Sequence, residues 1–486
     1  MTLEVFRVGH LPGLDAAGLA WRQLPAPQLP PGHAFEVPAL EPQQLQALCE
    51  QVRGAGRQGL RALPVREIVQ AIDRTIQHLL DPASPEHQLL LRWLPLSTGF
   101  SPEMIRVNLG PTLRSFRALQ LQRFLVEDLG NPALLDGFEP RVTGGWTHAE
   151  GPDLLAHVWA GNVPGLPLWS LVCGLLAKAG NIGKVSAGEP VFATVFAQAL
   201  AQLEPRLGAA VAVLWWERSD IDTASLVWSQ ADTVLAYGGD AALRELQAQM
   251  PPGVRFLPHG HKLSFGIVGR AALSAGRAPT LARLAADDVV RHEQQGCYSP
   301  QFFYVERGGQ VTPQEFAQRL AAGLQQLAPK FPRPQPGLAE SAQIAQWRSS
   351  LEWAALDDAG VQLLGHPEQS WSVVYRDRAT PIAPGPLHRC VQVVALDSLD
   401  QLLACLAPQR RYLQSAGLAV APEQLQALAD QLAAAGVTRL SAIGQMAQPA
   451  PGWHNDGRPS LLDLVTLVDL EASAEALAER LTSYET

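Results

Sequence analysis

The chain has 486 residues, 47% of them hydrophobic and 17% charged, with a formal net charge of −9. That length supports two or three buried cores, and the absence of a basic stripe interleaved with aromatics excludes nucleic acid as the natural partner. The five cysteines at positions 49, 173, 297, 390 and 405 form no CxxC pair, which excludes a disulfide framework and a structural zinc site; a cytoplasmic protein without bound metal is expected.

Residues 1–40 are rich in Pro, Ala and Gly and read as an extended or irregular arm. The N-terminus lacks a basic region followed by a long apolar run, so no signal peptide is expected. From 41 to 135 apolar residues recur at i, i+3, i+4, which predicts a helical layer, with Pro82 and Pro102 marking helix boundaries. The turn-rich stretch 137–151 predicts a β-hairpin or protruding ribbon. Residues 154–160 then form an apolar strand that leads through Gly161-Asn162-Val163-Pro164-Gly165 into an apolar helix. The apolar run 163–179 carries two prolines and is too interrupted for a membrane span. A strand at 181–186 completes a βαβ unit, the mark of a parallel sheet.

The alternation continues. Helices are predicted at 195–202, 221–230 and 240–249, the last capped by Asp240, with strands at 209–216, 233–237 and from 254. A dinucleotide can lie at the carboxyl ends of such strands, although neither GxGxxG nor GxxxxGKS occurs. A second α/β region begins near 270, with a helix over 281–292 that ends on His292 and a strand over 301–306. Thr312-Pro313-Gln314-Glu315 reads as a capping box, and 329–338 as a Pro-rich connection. Strands are expected at 372–375 and 390–395, and helices to 358, over 399–413 and over 422–434. The tail 460–470 reads as a strand that pairs with the ribbon at 137–151.

One short segment stands apart, Gln294-Gln295-Gly296-Cys297-Tyr298-Ser299-Pro300-Gln301. Gly296 permits a turn and Pro300 forces its predecessor to be extended, which together present the Cys297 sulfur at the rim of a cleft. Taken alone, a single cysteine is more often a packed small hydrophobe, Asn162 a turn residue and Lys184 a surface charge.

The order of these pieces carries more than any one of them. Asn-x-Pro after a buried strand, Lys-x-Ser after the next, a double glycine before a helix and a later Gln-Gly-Cys resemble the aldehyde dehydrogenase superfamily. GNVPGLPLWSLVCGLLAKAGNIGKVSAGEP, AYGGDAAL followed by HGHKLSFG, QQGCYSPQ, and GVTRLSAIGQM with HNDG are more closely similar to the acyl-CoA reductases of the bacterial-luminescence type, over residues 137–470. The resemblance implies an α/β fold of two parallel-sheet domains with a β oligomerisation ribbon. It divides the chain into an N-terminal arm and helical layer (1–136), an oligomerisation hairpin (137–151), a dinucleotide-binding domain (152–268), a catalytic domain (269–459) and a C-terminal strand and tail (460–486).

It further implies that Cys297 is the nucleophile, taking an acyl group from coenzyme A or another acyl thioester, with Asn162 and the Cys297 N–H holding the oxyanion. Lys184 and Ser186 match adenosine-ribose contacts, and Gly238 and Gly239 match the pyrophosphate turn. Ala187 stands where NAD-preferring members carry a carboxylate, so NADPH is expected over NADH. The water-activating Glu of hydrolytic members has no counterpart in Pro258-His259-Gly260-His261-Lys262, which suits a thioester protected from water. His259 or His261 is the candidate proton donor. Trp169, Leu175 and Tyr298 are candidate lining for the acyl chain. A homodimer or tetramer is expected, with an acyl-protein synthetase as a further partner. Two other readings use the same residues: a CoA-acylating aldehyde dehydrogenase working oxidatively, and a non-reducing acyl carrier or scaffold.

Overall fold

A computed structural model describes residues 3–481; residues 482–486 of the expected tail lie outside the described residues. Within the expected arm, residues 4–39 form a small sheet rather than an irregular stretch. Strands β1 (Glu4–Arg7), β2 (Ala20–Gln23) and β3 (His33–Ala39) pair in the order β1-β3-β2. Phe6 and Phe35 bury against Trp93, with ring centroids 5.4 and 5.6 Å away. The alternation is too short, and too interrupted by Pro and Gly, to register as a period-two signal.

The helical layer forms as its periodicity predicts: Pro42–Gly54, Val65–Leu80, Pro85–Thr98, Pro102–Arg114 and Ala118–Leu129. Ser84 and Ser101 cap two of these helices through their hydroxyls, each followed by a proline in the first turn. The first helix lays Leu48, Cys49 and Val52 against Leu154, Ile182 and Ala212 of the next sheet. Two short strands follow the layer, β4 (Glu139–Pro140) and β5 (Trp146–Glu150).

Strands β6 (Leu154–Val158), β7 (Gly180–Lys184), β8 (Val211–Leu214), β9 (Thr233–Tyr237) and β10 (Arg255–His259) form a five-stranded sheet, order β10-β9-β6-β7-β8. Every pairing in it is parallel. The chain runs outward from β6 through β7 to β8, then returns to β9 on the other side. The carboxyl ends of β6 and β9 therefore flank a topological switch point, where ligands bind in open α/β sheets. The helix Asp240–Ala248 is capped by the Gly239 backbone; Asp240 is its first residue and does not cap it.

Strands β11 (Leu263–Val268), β12 (Pro300–Glu306), β13 (Val361–Leu364), β14 (Ser372–Arg376), β15 (Cys390–Leu396), β16 (Leu413–Ala419) and β17 (Arg439–Ala442) form the second sheet. Its order is β13-β14-β15-β12-β11-β16-β17, and only β13 and β14 run antiparallel. β11 lies inside the unit expected to end at 268, yet it pairs with β12 and β16 of the second sheet. The changeover falls at 260–262, where three residues carry the chain from β10 to β11. The predicted helix 399–413 is instead three short pieces, Leu399–Gln401, Leu402–Leu406 and Ala407–Tyr412, the last kinked where Gln409 leaves helical geometry. Finally β18 (Thr466–Leu470) pairs antiparallel with β5, so the tail joins the ribbon within one chain. Among the described residues no helix is long and apolar enough to cross a membrane.

Candidate active site

The carboxyl ends of β6, β9 and β10 face the amino ends of β11, β12 and β16 across a cavity of about 630 Å³. Cys297, Asn162, Gly238, Gly239, His259 and His261 all line it. Lys184 and Ser186 lie outside that lining, at and just beyond the end of β7.

Cys297 sits in the turn ahead of β12. The backbone into it is unusual: His292, Glu293 and Gln294 are all left-handed, with φ of 50°, 53° and 60°. The preceding helix therefore ends at Val290 rather than at His292. A second left-handed run, Leu387, His388 and Arg389, lies against the first. The two are tied by the His388 N–H donating to the Glu293 carbonyl, and by a two-pronged ion pair of Arg389 with the Glu293 carboxylate. Both side chains of the pair are out of solvent. The Cys297 carbonyl accepts from the Ser264 hydroxyl at 2.7 Å, which fixes the turn to β11. Gly296 is needed for space: a Cβ there would stand 2.5 Å from the Tyr298 ring.

Burial pushes the Cys297 thiol up to about 11; the Asp456 carboxylate adds to this, while a hydrogen bond from Gln414 and the charge of Arg439 oppose it. The resting thiol is therefore protonated at neutral pH. Asn162 donates through Nδ2 to the Gln295 carbonyl at 2.6 Å, two residues before the cysteine, so its amide already reaches the Cys297 turn.

The residue that sequence reasoning missed is Asp456, from the late His-Asn-Asp-Gly stretch. It lies in the same cavity, in left-handed geometry with φ of 56°. Its Oδ2 accepts from His259 Nδ1 at 2.9 Å, its Oδ1 accepts from Gln414 Nε2 at 2.8 Å, and Lys262 Nζ lies 3.5 Å from Oδ1. Burial alone would raise this carboxyl, but the His259 hydrogen bond and the charges of Lys262 and His259 hold it below the usual range. The segment 258–262 lacks a carboxylate, as its sequence says, yet the fold supplies one to the same cavity. The only available signal was Asp456's place in a motif already set apart. His259 also stacks on Tyr237, with centroids 4.8 Å apart. His261 makes no hydrogen bond to a carboxylate among the described residues; its ring lies 6.1 Å from Tyr412, and burial lowers its pKa against the opposing charge of Asp240.

On the apolar side, Trp169 and Tyr298 line the cavity as expected, with Pro111, Thr112 and Trp453. Leu175 does not: it faces the core and is fully buried.

The residues at the switch point fit a dinucleotide. A Cβ on Gly239 would meet open space, and Asp240 accepts from the Tyr412 hydroxyl, so the helix N-terminus behind the double glycine is accessible to an anion. Lys184 lies over the Trp216 ring at 5.4 Å, and burial together with nearby Arg218 lowers it to about 8. At Ala187 only a backbone carbonyl is engaged, by Gln28. The nearest carboxylate of that turn, Glu189, is buried and accepts from the N–H groups of Val191 and Phe192.

This arrangement is that of an aldehyde-dehydrogenase-like α/β protein. The aldehyde dehydrogenase 21 of Physcomitrella patens, crystallised with succinate, superposes with a TM-score of 0.74 at 11% identity, covering 97% of this chain and 98% of its own. The family model for acyl-CoA reductase (LuxC) matches residues 60–467, and the chain belongs to that family. The long-chain acyl-protein thioester reductase of Vibrio harveyi is 24% identical over 419 residues, 85% of this chain and 84% of its own. That of Photorhabdus luminescens is 26% identical over 356 residues, 72% and 70% of the two chains. The protein is an oxidoreductase that acts on acyl thioesters.

Proposed function

We propose that the protein reduces a fatty acyl thioester to the aldehyde with NADPH, through an acyl group carried on Cys297. The observation that carries this reading is the convergence of the Cys297 turn, the Asn162 amide and the Asp456–His259 pair on one cavity at the switch point of the first sheet. Deprotonated Cys297 attacks the thioester carbonyl, a bond forms to Sγ, and the bond to the departing thiol breaks; that thiol takes up a proton. Asn162 exchanges its contact with the Gln295 carbonyl for the developing oxyanion, alongside the Cys297 N–H, an interaction worth about 3 kcal/mol of barrier per donor. Reduced nicotinamide, when bound, supplies the hydride that converts the acyl carbon to the aldehyde as the bond to Sγ breaks. His259, oriented by Asp456, exchanges protons with the cysteine and the departing thiol.

Lys184 and Ser186 serve the adenosine end, and Gly238 and Gly239 the pyrophosphate. The Lys184 ammonium, with no carboxylate offered at Ala187 and Arg218 held by Glu245, favours a 2′-phosphate and hence NADPH over NADH. Asp456 is held by His259, Lys262 and Gln414, so it is not free to activate water, and the thioester survives to be reduced. The open edge of the ribbon, with Leu467, Val468 and Leu470 exposed, supports a homodimer or tetramer. The acyl group reaches it either as acyl-CoA or from an acyl-protein synthetase.

The test is turnover of a long-chain acyl-CoA. The protein oxidises NADPH and releases aldehyde in equal amounts, and Cys297→Ala does neither. Aldehyde formation that survives in the variant would overturn the assignment.

A further inference from the structure

A second cleft of about 490 Å³ opens beside the main cavity and shares Lys262 and Asp456 with it. Its other walls come from Ala407, Pro408, Arg410, Arg411 and Leu413 and from Gly436 and Thr438. Its charged lining is Lys262, Arg410 and Arg411 against the single carboxylate of Asp456, a local excess of two positive charges in a chain of net −9. Arg410 and Arg411 are exposed and form no ion pair with a carboxylate among the described residues. Arg411 is nevertheless held in place: its guanidinium lies 4.7 Å over the Tyr412 ring and donates to the Tyr412 hydroxyl, which in turn donates to Asp240. Two guanidinium groups with no carboxylate partner among the described residues, on a short turn one residue from the strand that carries Gln414, are poor stability elements and good anion receptors.

We propose that this cleft receives the phosphate groups of the thioester donor, those of coenzyme A or of a phosphopantetheine arm, while the acyl carbon reaches Cys297 past Lys262 and Asp456, the two residues that line both cavities. The assignment rests on the thioester-reductase reading above. It separates donor recognition from the cofactor cleft at β6 and β9, so donor thiol and nicotinamide do not compete for one anion site. It also gives Lys262 a double position, paired with Asp456 on one side and facing the donor on the other.

The experiment compares three donors carrying the same acyl chain: acyl-CoA, acyl-4′-phosphopantetheine and the acyl thioester of N-acetylcysteamine, which has no phosphate. Reversing both charges (Arg410→Glu with Arg411→Glu) raises KM for acyl-CoA about tenfold, while KM for the N-acetylcysteamine thioester shifts less than about twofold. A matching rise for acyl-4′-phosphopantetheine assigns the cleft to the phosphate common to both donors; a rise for acyl-CoA alone assigns it to the nucleotide phosphates. Unchanged KM for acyl-CoA, or equal changes for all three donors, overturns the proposal. If the unsubstituted protein reduces none of the three, the thioester-reductase reading itself falls and takes this assignment with it.

Discussion

At the scale of single residues the chemistry turns on one thiol and one carboxylate. Because burial and Asp456 push the Cys297 thiol up to about 11, its alkylation by iodoacetamide in the cofactor-free protein should rise about tenfold per pH unit between roughly pH 7 and 9, without a plateau. A plateau below pH 8 would show a thiolate already formed. Asp456→Asn removes the negative charge that raises the thiol, so alkylation at a fixed neutral pH should become faster. The same change frees His259 from its orienting partner, and turnover should fall about 100-fold. A variant in which both quantities fall together would point to misfolding instead. That Cys297, Asn162, Gly238, Gly239 and His259 line one cavity could be anticipated from the sequence, because each sits in a short motif at a strand end. Asp456 was not: it reaches the cavity from about 160 residues beyond Cys297, through a left-handed loop that no local pattern specifies.

At the scale of elements, what holds the site is a pair of left-handed turns and a helix cap. The Arg389–Glu293 pair joins the two turns in a fully buried setting. Arg389→Met leaves Glu293 buried and unpaired, with an expected loss of about 3–5 kcal/mol, visible as a lower Tm. Adding Glu293→Met should recover part of that loss, whereas an additive loss would mean the pair is not the relevant contact. Glu189 caps the helix Val191–Leu203 with Oε1, while Oε2 has no partner, and burial raises its pKa to about 7. A carboxyl raised on folding stabilises below its unfolded pKa, and that stability is lost as pH climbs toward the folded value. Glu189→Gln should therefore match the wild type near pH 4 and melt higher above about pH 7; a variant less stable at both would contradict this. Amphipathic helices and buried parallel strands announced themselves through period and apolar runs. β11, β13, β16 and β17 did not, because each is short or holds Gly, Ser and Gln in a segment whose burial comes from neighbouring strands.

At the scale of the whole molecule, one parallel and one largely parallel sheet meet end to end, and the changeover between them is only the three residues 260–262. That brevity fixes His259 and Lys262 on opposite sides of one carboxylate and makes the cavity a property of both sheets. It also explains why the changeover was misplaced by several residues in the sequence, where no Pro/Gly-rich linker marks it. The ribbon is the second global feature: β18 pairs with β5 and leaves exposed Leu467, Val468 and Leu470 on a small sheet. A chain ending at residue 465 should sediment as a smaller species than the full chain, and an unchanged sedimentation coefficient would remove the ribbon from the assembly. The central claim is covalent. Intact-mass spectrometry of the protein mixed with a long-chain acyl-CoA and no cofactor should show one added acyl group, absent in Cys297→Ala and discharged on adding NADPH. A wild-type protein that gains no acyl mass, or an adduct that persists in the variant, would contradict it.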